Sequence, residues 1–254
     1  MSKNGCYLDV DGSSIYYEVT GNLKGKPLVL LHGGLGCIYD FDCILSYIPS
    51  DYMIIAVDFR GHGKSFLGSE NLSYGRYQKD IESLLTYLGI NKFSIFGFSD
   101  GGIVGYRLAA EHNSKVLQLV TLGSQWRLEP NDPSTELLRG LTAEFWITHF
   151  PEEVARYNKS NPKPDLSRLL DSVKNLWLDI SCTGYPNDQV TQIKCPTFVM
   201  RGDNDFLFSL SEAHTLIDRL ANASFMNIPF TQHEAHKEYP ELVGLAINRF
   251  LSNS

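Results

Sequence analysis

Short, nearly uninterrupted apolar runs alternate along this chain with longer amphipathic ones. Residues 27–31, 53–57, 93–96, 116–122, 197–201 and 224–228 have strand length, and such runs are expected where helices bury a strand on both faces. The intervening pattern has helical spacing: Tyr77, Ile81, Leu84, Leu85 and Leu88 mark one buried face, 103–110 and 211–220 read as helices, and Leu242, Val243, Ala246, Ile247, Phe250 and Leu251 mark a closing helix with Pro240 in its first turn. Near the start, 6–10 and 15–19 flank Asp11-Gly12-Ser13-Ser14 and predict an antiparallel hairpin at one edge of the sheet. The whole pattern predicts an α/β fold. From Ser124 to about Asn187 it changes to Pro-punctuated helical pieces carrying Trp126, Phe145, Trp146, Phe150, Tyr157 and Trp177. We read 124–190 as a helical cap inserted into a core made of 1–123 and 191–254. Most of the cap's rings are expected to form its own core, and an aromatic-rich lid suits an apolar pocket.

Composition narrows the class. The 254 residues are 43% apolar and 12% aromatic, ordinary values for one globular domain with a modest insertion. A net charge of −7 without clustered Lys or Arg argues against nucleic-acid or acidic-membrane partners. Met1-Ser2-Lys3-Asn4-Gly5-Cys6 has no apolar leader and no segment has the length to span a bilayer, so a cytoplasmic protein is expected. Five cysteines at irregular spacing, with no C-x-x-C pair, read as reduced core thiols. Oligomeric state is left open by all of this.

Candidate chemistry centres on Gly97-Phe98-Ser99-Asp100-Gly101-Gly102, a G-x-S-x-G pattern between a strand-like and a helix-like run. A serine on such a turn is held in strained geometry with its hydroxyl clear of the sheet, above the N–H groups of the helix that follows. His32-Gly33-Gly34-Leu35-Gly36 ends another strand, and its glycines let backbone N–H groups approach a bound oxygen. Gly63-Lys64-Ser65 lacks the glycine a phosphate loop needs at position 58, and Gly34-x-Gly36 finds Tyr39 where a dinucleotide fingerprint needs glycine. No nucleotide or other cofactor is implied. A serine hydroxyl needs a base and an acid to orient that base, and Asp205 and His233 follow the last two strand-like runs.

The order Ser99, Asp205, His233, with His32-Gly33-Gly34 and the insertion after the sixth strand, resembles the α/β-hydrolase superfamily over nearly the whole chain. That resemblance implies a mostly parallel eight-stranded sheet flanked by helices, a Ser99–His233–Asp205 triad, and an oxyanion hole from the N–H groups of Gly34 and Asp100. It selects Asp205 over Asp203 as the acid, and His233 over His236 as the base, with His236 a supporting or surface group. His32 and Arg60 become loop anchors. A metal site from His233, His236 and Glu238 lacks the H-E-x-x-H spacing, and none is expected. The Ser99-Asp100-Gly101-Gly102 elbow resembles the branch of the biphenyl-hydrolase-like valacyclovir hydrolase, where the acid beside the nucleophile is associated with amino-acid esters. Asp100 is thus a candidate for binding a substrate ammonium; its other reading is a bond to neighbouring loop backbone. The expected activity is hydrolysis of a small carboxylic ester, thioester or lactone through an acyl-enzyme. Carbon–carbon bond hydrolysis with the same triad, and a non-catalytic ligand receptor, are the alternatives.

Overall fold

The computed structural model describes residues 5–129 and 131–253, so Met1–Asn4, Pro130 and Ser254 lie outside it. Eight strands form one sheet in the order β1-β2-β4-β3-β5-β6-β7-β8. They are β1 (Cys6–Val10), β2 (Ser13–Gly21), β3 (Lys26–Leu31), β4 (Tyr52–Val57), β5 (Phe93–Phe98), β6 (Val116–Leu122), β7 (Thr197–Gly202) and β8 (Ala223–Ile228). β2 pairs antiparallel with both β1 and β4, and every pairing from β4 to β8 is parallel.

The central strands are apolar without interruption because each face meets helices. In β3, Val29 and Leu31 join one core cluster with Ile55, Ile95 and Leu119, while Leu28 and Leu30 join the other with Phe96, Val120 and Met200. Successive residues alternate between faces, as the strand period of two requires. The first face is covered by α1 (Tyr74–Tyr87), α2 (Asp100–Glu111) and α7 (Leu210–Ile217), the second by α9 (Pro240–Leu251) and the segment holding Phe41, Ile44 and Ile48. A short helix, α8 (Ala235–Glu238), precedes α9.

Chain direction places the site. β3 lies between β4 and β5, so the chain leaves β3 toward one side and returns to the other. The loops after β3 and β5 diverge at this switch and open a crevice at the carboxyl ends of the strands, where open α/β sheets bind ligands. Between β6 and β7 run α3 (Pro133–Gly140), α4 (Ala143–His149), α5 (Pro151–Ser160) and α6 (Leu166–Trp177), with no strand among the described residues of this stretch. Thr142 and Asp165 side chains accept N–H bonds at the starts of α4 and α6, which lets such short helices begin and end abruptly.

One sequence expectation needs correction. Cys37 and Cys195 are buried thiols, but Cys6, Cys43 and Cys182 are exposed, because an edge strand and two surface loops carry them. No helix among the described residues is long and apolar enough to cross a membrane.

Candidate active site

Ser99 sits between the last residue of β5 and the first of α2, with φ 50° and ψ −117°. Its backbone is pinned there: its N–H donates to the Leu122 carbonyl at 2.8 Å, and its carbonyl accepts from Gly102 and Ile103 at 2.9 and 3.1 Å. The flanking glycines are obligatory. A methyl on Gly97 would lie 2.4 Å from the Gly101 carbonyl carbon, and one on Gly101 would lie 1.8 Å from the Leu31 carbonyl oxygen. The elbow therefore holds a strained serine because strand and helix approach too closely for any other arrangement. Ser99 is half-buried, since α3, α4 and α6 contribute residues to the same cavity.

Three side chains from separate strand ends meet here. Ser99 Oγ is 3.0 Å from His233 Nε2, and His233 Nδ1 is 3.0 and 3.1 Å from the two oxygens of Asp205. A carboxylate only accepts, so the imidazole proton belongs on Nδ1, leaving Nε2 to accept the serine proton. Asp205 Oδ1 also receives the N–H groups of Leu207 and Phe208 at 2.9 and 3.1 Å. Burial pushes the Asp205 carboxyl up, yet the His233 charge and these hydrogen bonds outweigh it and hold the carboxyl below its ordinary range. Burial pushes His233 down, and the Asp205 charge and hydrogen bond outweigh it, leaving the imidazole above its ordinary value. Phe98 and Phe206 rings flank His233 at centroid distances of 5.0 and 6.0 Å.

The neighbouring candidates do other work. Asp203 accepts from the Asn204 side chain at 3.0 Å and the Thr231 N–H at 3.2 Å, which ties its loop to the one before His233. His236 is 0% exposed, its ring 4.5 Å from Phe98, and neither nitrogen has a hydrogen-bond partner among the described residues. Burial and the Lys237 charge push it down to about 3, so it is a neutral core ring and not the surface group that was the sequence's other reading. Because α8 turns immediately after His233, the residue three positions later points back into the sheet.

The loop after β3 is anchored by His32. The Phe59 N–H donates to its Nε2 at 2.9 Å, which places the ring proton on Nδ1, and Nδ1 donates to the Gly33 carbonyl at 2.6 Å. Burial pushes this histidine down to about 4 and keeps it neutral. Arg60 forks onto Asp80 at 2.7 and 3.0 Å and reaches the Val10 carbonyl, tying the next loop to the hairpin. A methyl on Gly33 would lie 3.2 Å from Ser99 Cβ, so this loop rests directly against the serine. The N–H groups of Gly34 and Asp100 have no acceptor among the described residues.

Asp100 corrects a reading of the sequence. Its carboxylate does not bond loop backbone: Tyr74 Oη donates to Oδ1 at 2.9 Å, and Trp177 Nε1 donates to both oxygens at 3.0 Å. It is 3% exposed and forms no ion pair with Lys or Arg among the described residues. Burial pushes it up to about 6, against the pull of the Trp177 and Tyr74 hydrogen bonds and of the His233 charge. Neither contact carried a signal in the sequence: Tyr74 lies just before the buried face that begins at Tyr77, and Trp177 is one ring among several in the insertion.

A cavity of about 620 Å³ joins these groups. Phe145, Trp146, Phe150 and Trp177 line it, so four of the insertion's rings wall the cavity, as an aromatic-rich lid over an apolar pocket would, and are not confined to a core of the insertion's own. Asp40, Asp100, Glu153, Glu234 and Glu238 line it with Lys237; Lys237 bridges Asp40 and Glu234, and Arg156 reaches Asp40 at 3.4 Å, so the remaining acidic excess at Asp100, Glu153 and Glu238 favours a positively charged occupant. No cluster of His, Cys, Asp and Glu suited to a metal ion occurs among the described residues.

Known proteins share this architecture. A solved hydrolase from Pseudomonas aeruginosa PA01 superposes with a TM-score of 0.79 at 22% identity, over 99% of both chains. A Streptomyces coelicolor protein named "Probable proline iminopeptidase" is 36% identical over 76% of this chain and 66% of its own length. The proline iminopeptidase of Xanthomonas citri is 27% identical over 88% of this chain and 72% of its own. The family profile described as alpha/beta hydrolase fold matches residues 26–176, and the chain belongs to that family of hydrolytic enzymes.

Proposed function

We propose that the protein is a serine hydrolase that cleaves a small carboxylic ester through an acyl-enzyme, with Ser99 as nucleophile, His233 as base and Asp205 as the orienting acid. The observation that carries this reading is the continuous relay from Ser99 Oγ to His233 to Asp205 at 3.0 Å per step. As Ser99 Oγ attacks the carbonyl carbon, Nε2 takes its proton, and the carbonyl oxygen becomes an oxyanion facing the N–H groups of Gly34 and Asp100. Collapse breaks the bond to the leaving alcohol, which takes the proton back from Nε2. Water then repeats the sequence on the acyl-enzyme and releases the acid. Residues 124–190 act in this scheme as a cap that supplies the apolar wall.

Asp100 refines the substrate class. A carboxylate beside a developing oxyanion opposes it; the His233 imidazolium formed in the same step offsets part of that charge, while the hydrogen bonds that hold Asp100 come from neutral donors alone. A substrate with an ammonium next to the scissile carbonyl supplies the remaining positive charge. This reading accords with the acidic lining, with a relative named for a proline substrate, and with the elbow's likeness to the valacyclovir hydrolase branch. Because the leaving-group proton comes from His233, an amino-acid amide is a second substrate of the same chemistry.

Two measurements test the proposal. A fluorophosphonate probe should label the protein at Ser99 and abolish turnover of short esters; turnover by a protein that resists labelling overturns the acyl-enzyme route, and labelling without turnover of any ester points to the carbon–carbon hydrolase. For Asp100→Asn, the preference for alanine benzyl ester over benzyl propionate should fall about tenfold to a hundredfold, the worth of one charge-assisted hydrogen bond. An unchanged preference removes the ammonium from the reading and leaves a general small-ester hydrolase.

A further inference from the structure

Asp100 reaches the cavity only in the orientation its neighbours impose. Trp177 is the last residue of α6, and its carbonyl is tied down by Tyr185 Oη at 3.0 Å. Its Nε1–H lies 3.0 Å from both Asp100 oxygens, so the indole bisects the carboxylate and fixes its plane. Tyr74 adds a second bond to Oδ1 alone, which leaves Oδ2 as the oxygen with a lone pair to spare. Oδ2 points to the loop after β3: a methyl built on Gly34 would lie 2.7 Å from it and 2.6 Å from Trp177 Cζ2. The same indole therefore packs on the loop that carries one oxyanion N–H and aims the carboxylate that neighbours the other.

We propose that Trp177 is the positioning residue for substrate selection: its indole N–H holds Oδ2 of Asp100 beside Gly34, where it meets a cationic nitrogen one carbon from the scissile carbonyl. This inference rests on the ammonium reading of Asp100. Both donors to Asp100 are uncharged, so they orient the carboxylate without cancelling its charge; an arginine in place of Trp177 would satisfy the carboxylate and silence it. Since Trp177 belongs to the inserted helices, seating α6 and aiming Asp100 are one event.

The test compares wild type, Trp177→Phe, Trp177→His and Asp100→Asn by the ratio of kcat/KM for alanine benzyl ester to that for benzyl propionate across pH. Phenylalanine keeps most of the packing and loses the donor. The ratio should fall about tenfold, and its acid limb should move to higher pH because a carboxylate that loses a hydrogen bond is harder to ionise. Histidine presents a ring N–H but becomes an imidazolium beside the Asp100 carboxylate, so, like arginine, it should not recover the ratio. In wild type, the Trp177 indole N–H resonance, identified as the one of three lost in Trp177→Phe, should titrate together with that acid limb and stay constant in Asp100→Asn. A Trp177→Phe enzyme that keeps the wild-type ratio and pH course, while Asp100→Asn loses the ratio, overturns the role of Trp177 and leaves the ammonium reading standing. No preference in wild type removes the ammonium reading and this inference with it. If Trp177→Phe does not fold, an indole resonance in wild type, assigned through Trp177→His, that ignores Asp100 ionisation overturns the proposal.

Discussion

Ser99→Ala is expected to lower kcat/KM for a small ester by about a thousandfold or more, with a thermal midpoint within about 2 °C of wild type. The two halves of that expectation come from different parts of the geometry. The hydroxyl's one hydrogen bond among the described residues is to His233 Nε2, and its removal from a half-buried site facing a cavity leaves no packed void. What holds the elbow is backbone: the Ser99 N–H on Leu122 and the Ser99 carbonyl on Gly102 and Ile103 survive the substitution. Alanine meets the same positive φ as serine, so backbone strain is unchanged to first order. Rate and stability thus separate, and a purified, folded Ser99→Ala protein that retains near-wild-type turnover would remove Ser99 from the chemistry. Residual hydrolysis about a thousandfold above water is consistent with the oxyanion N–H groups acting alone.

Why the elbow was legible and Trp177 was not follows from the range of the forces involved. Gly97 answers to a local steric demand, strand against helix within five residues, so sequence spacing carries it, whereas Gly101 is pressed on the Leu31 carbonyl of β3 and is legible only through the motif it completes. Strand assignments held for the same reason: 27–31 and 93–96 need no tertiary knowledge to read as buried on both faces, and both fall inside observed strands. The Asp100 contacts span 26 and 77 residues along the chain. Tyr74 and Trp177 obey the helical period like any packing residue, and their polar atoms acquire meaning only once α1 and α6 converge over the elbow. His236 was legible only in part, since a histidine three residues after His233 reads as either a supporting or a surface group until the α8 turn sends it inward behind Phe98. The rings at Phe145, Trp146 and Phe150 show the same limit: aromatic content suggests a core of the insertion's own, whereas α4 buries no residue and these rings line the cavity.

Asp205→Asn and His233→Ala are expected to be the most damaging changes after Ser99→Ala, and their pH courses distinguish their roles. His233 must be neutral to accept the serine proton, so wild-type kcat/KM falls as pH drops through the His233 pKa. That pKa is raised above the ordinary 6.5, because the Asp205 charge and hydrogen bond overcome the downward push of burial. Asparagine at 205 removes the charge and keeps the burial, so the acid limb of the remaining activity moves to lower pH. The amide also offers its NH₂ or its oxygen to Nδ1 and loses the preference for the tautomer that leaves Nε2 free, which costs about a thousandfold to ten-thousandfold in kcat. His233→Ala loses a similar factor with no titration left to shift. The contrast lies at His236 and Asp203, one buried behind Phe98 and the other holding the Thr231 loop. His236→Ala should cost about 1–3 kcal/mol of stability through the void left behind Phe98, and about tenfold or less in kcat/KM, because Phe98 braces His233 from 5.0 Å. Asp203→Asn keeps an acceptor for the Thr231 N–H and should retain most activity. An acid limb that moves upward in Asp205→Asn, or that responds to Asp203→Asn instead, would transfer the acid's role away from Asp205; either result leaves the strand order and the elbow untouched.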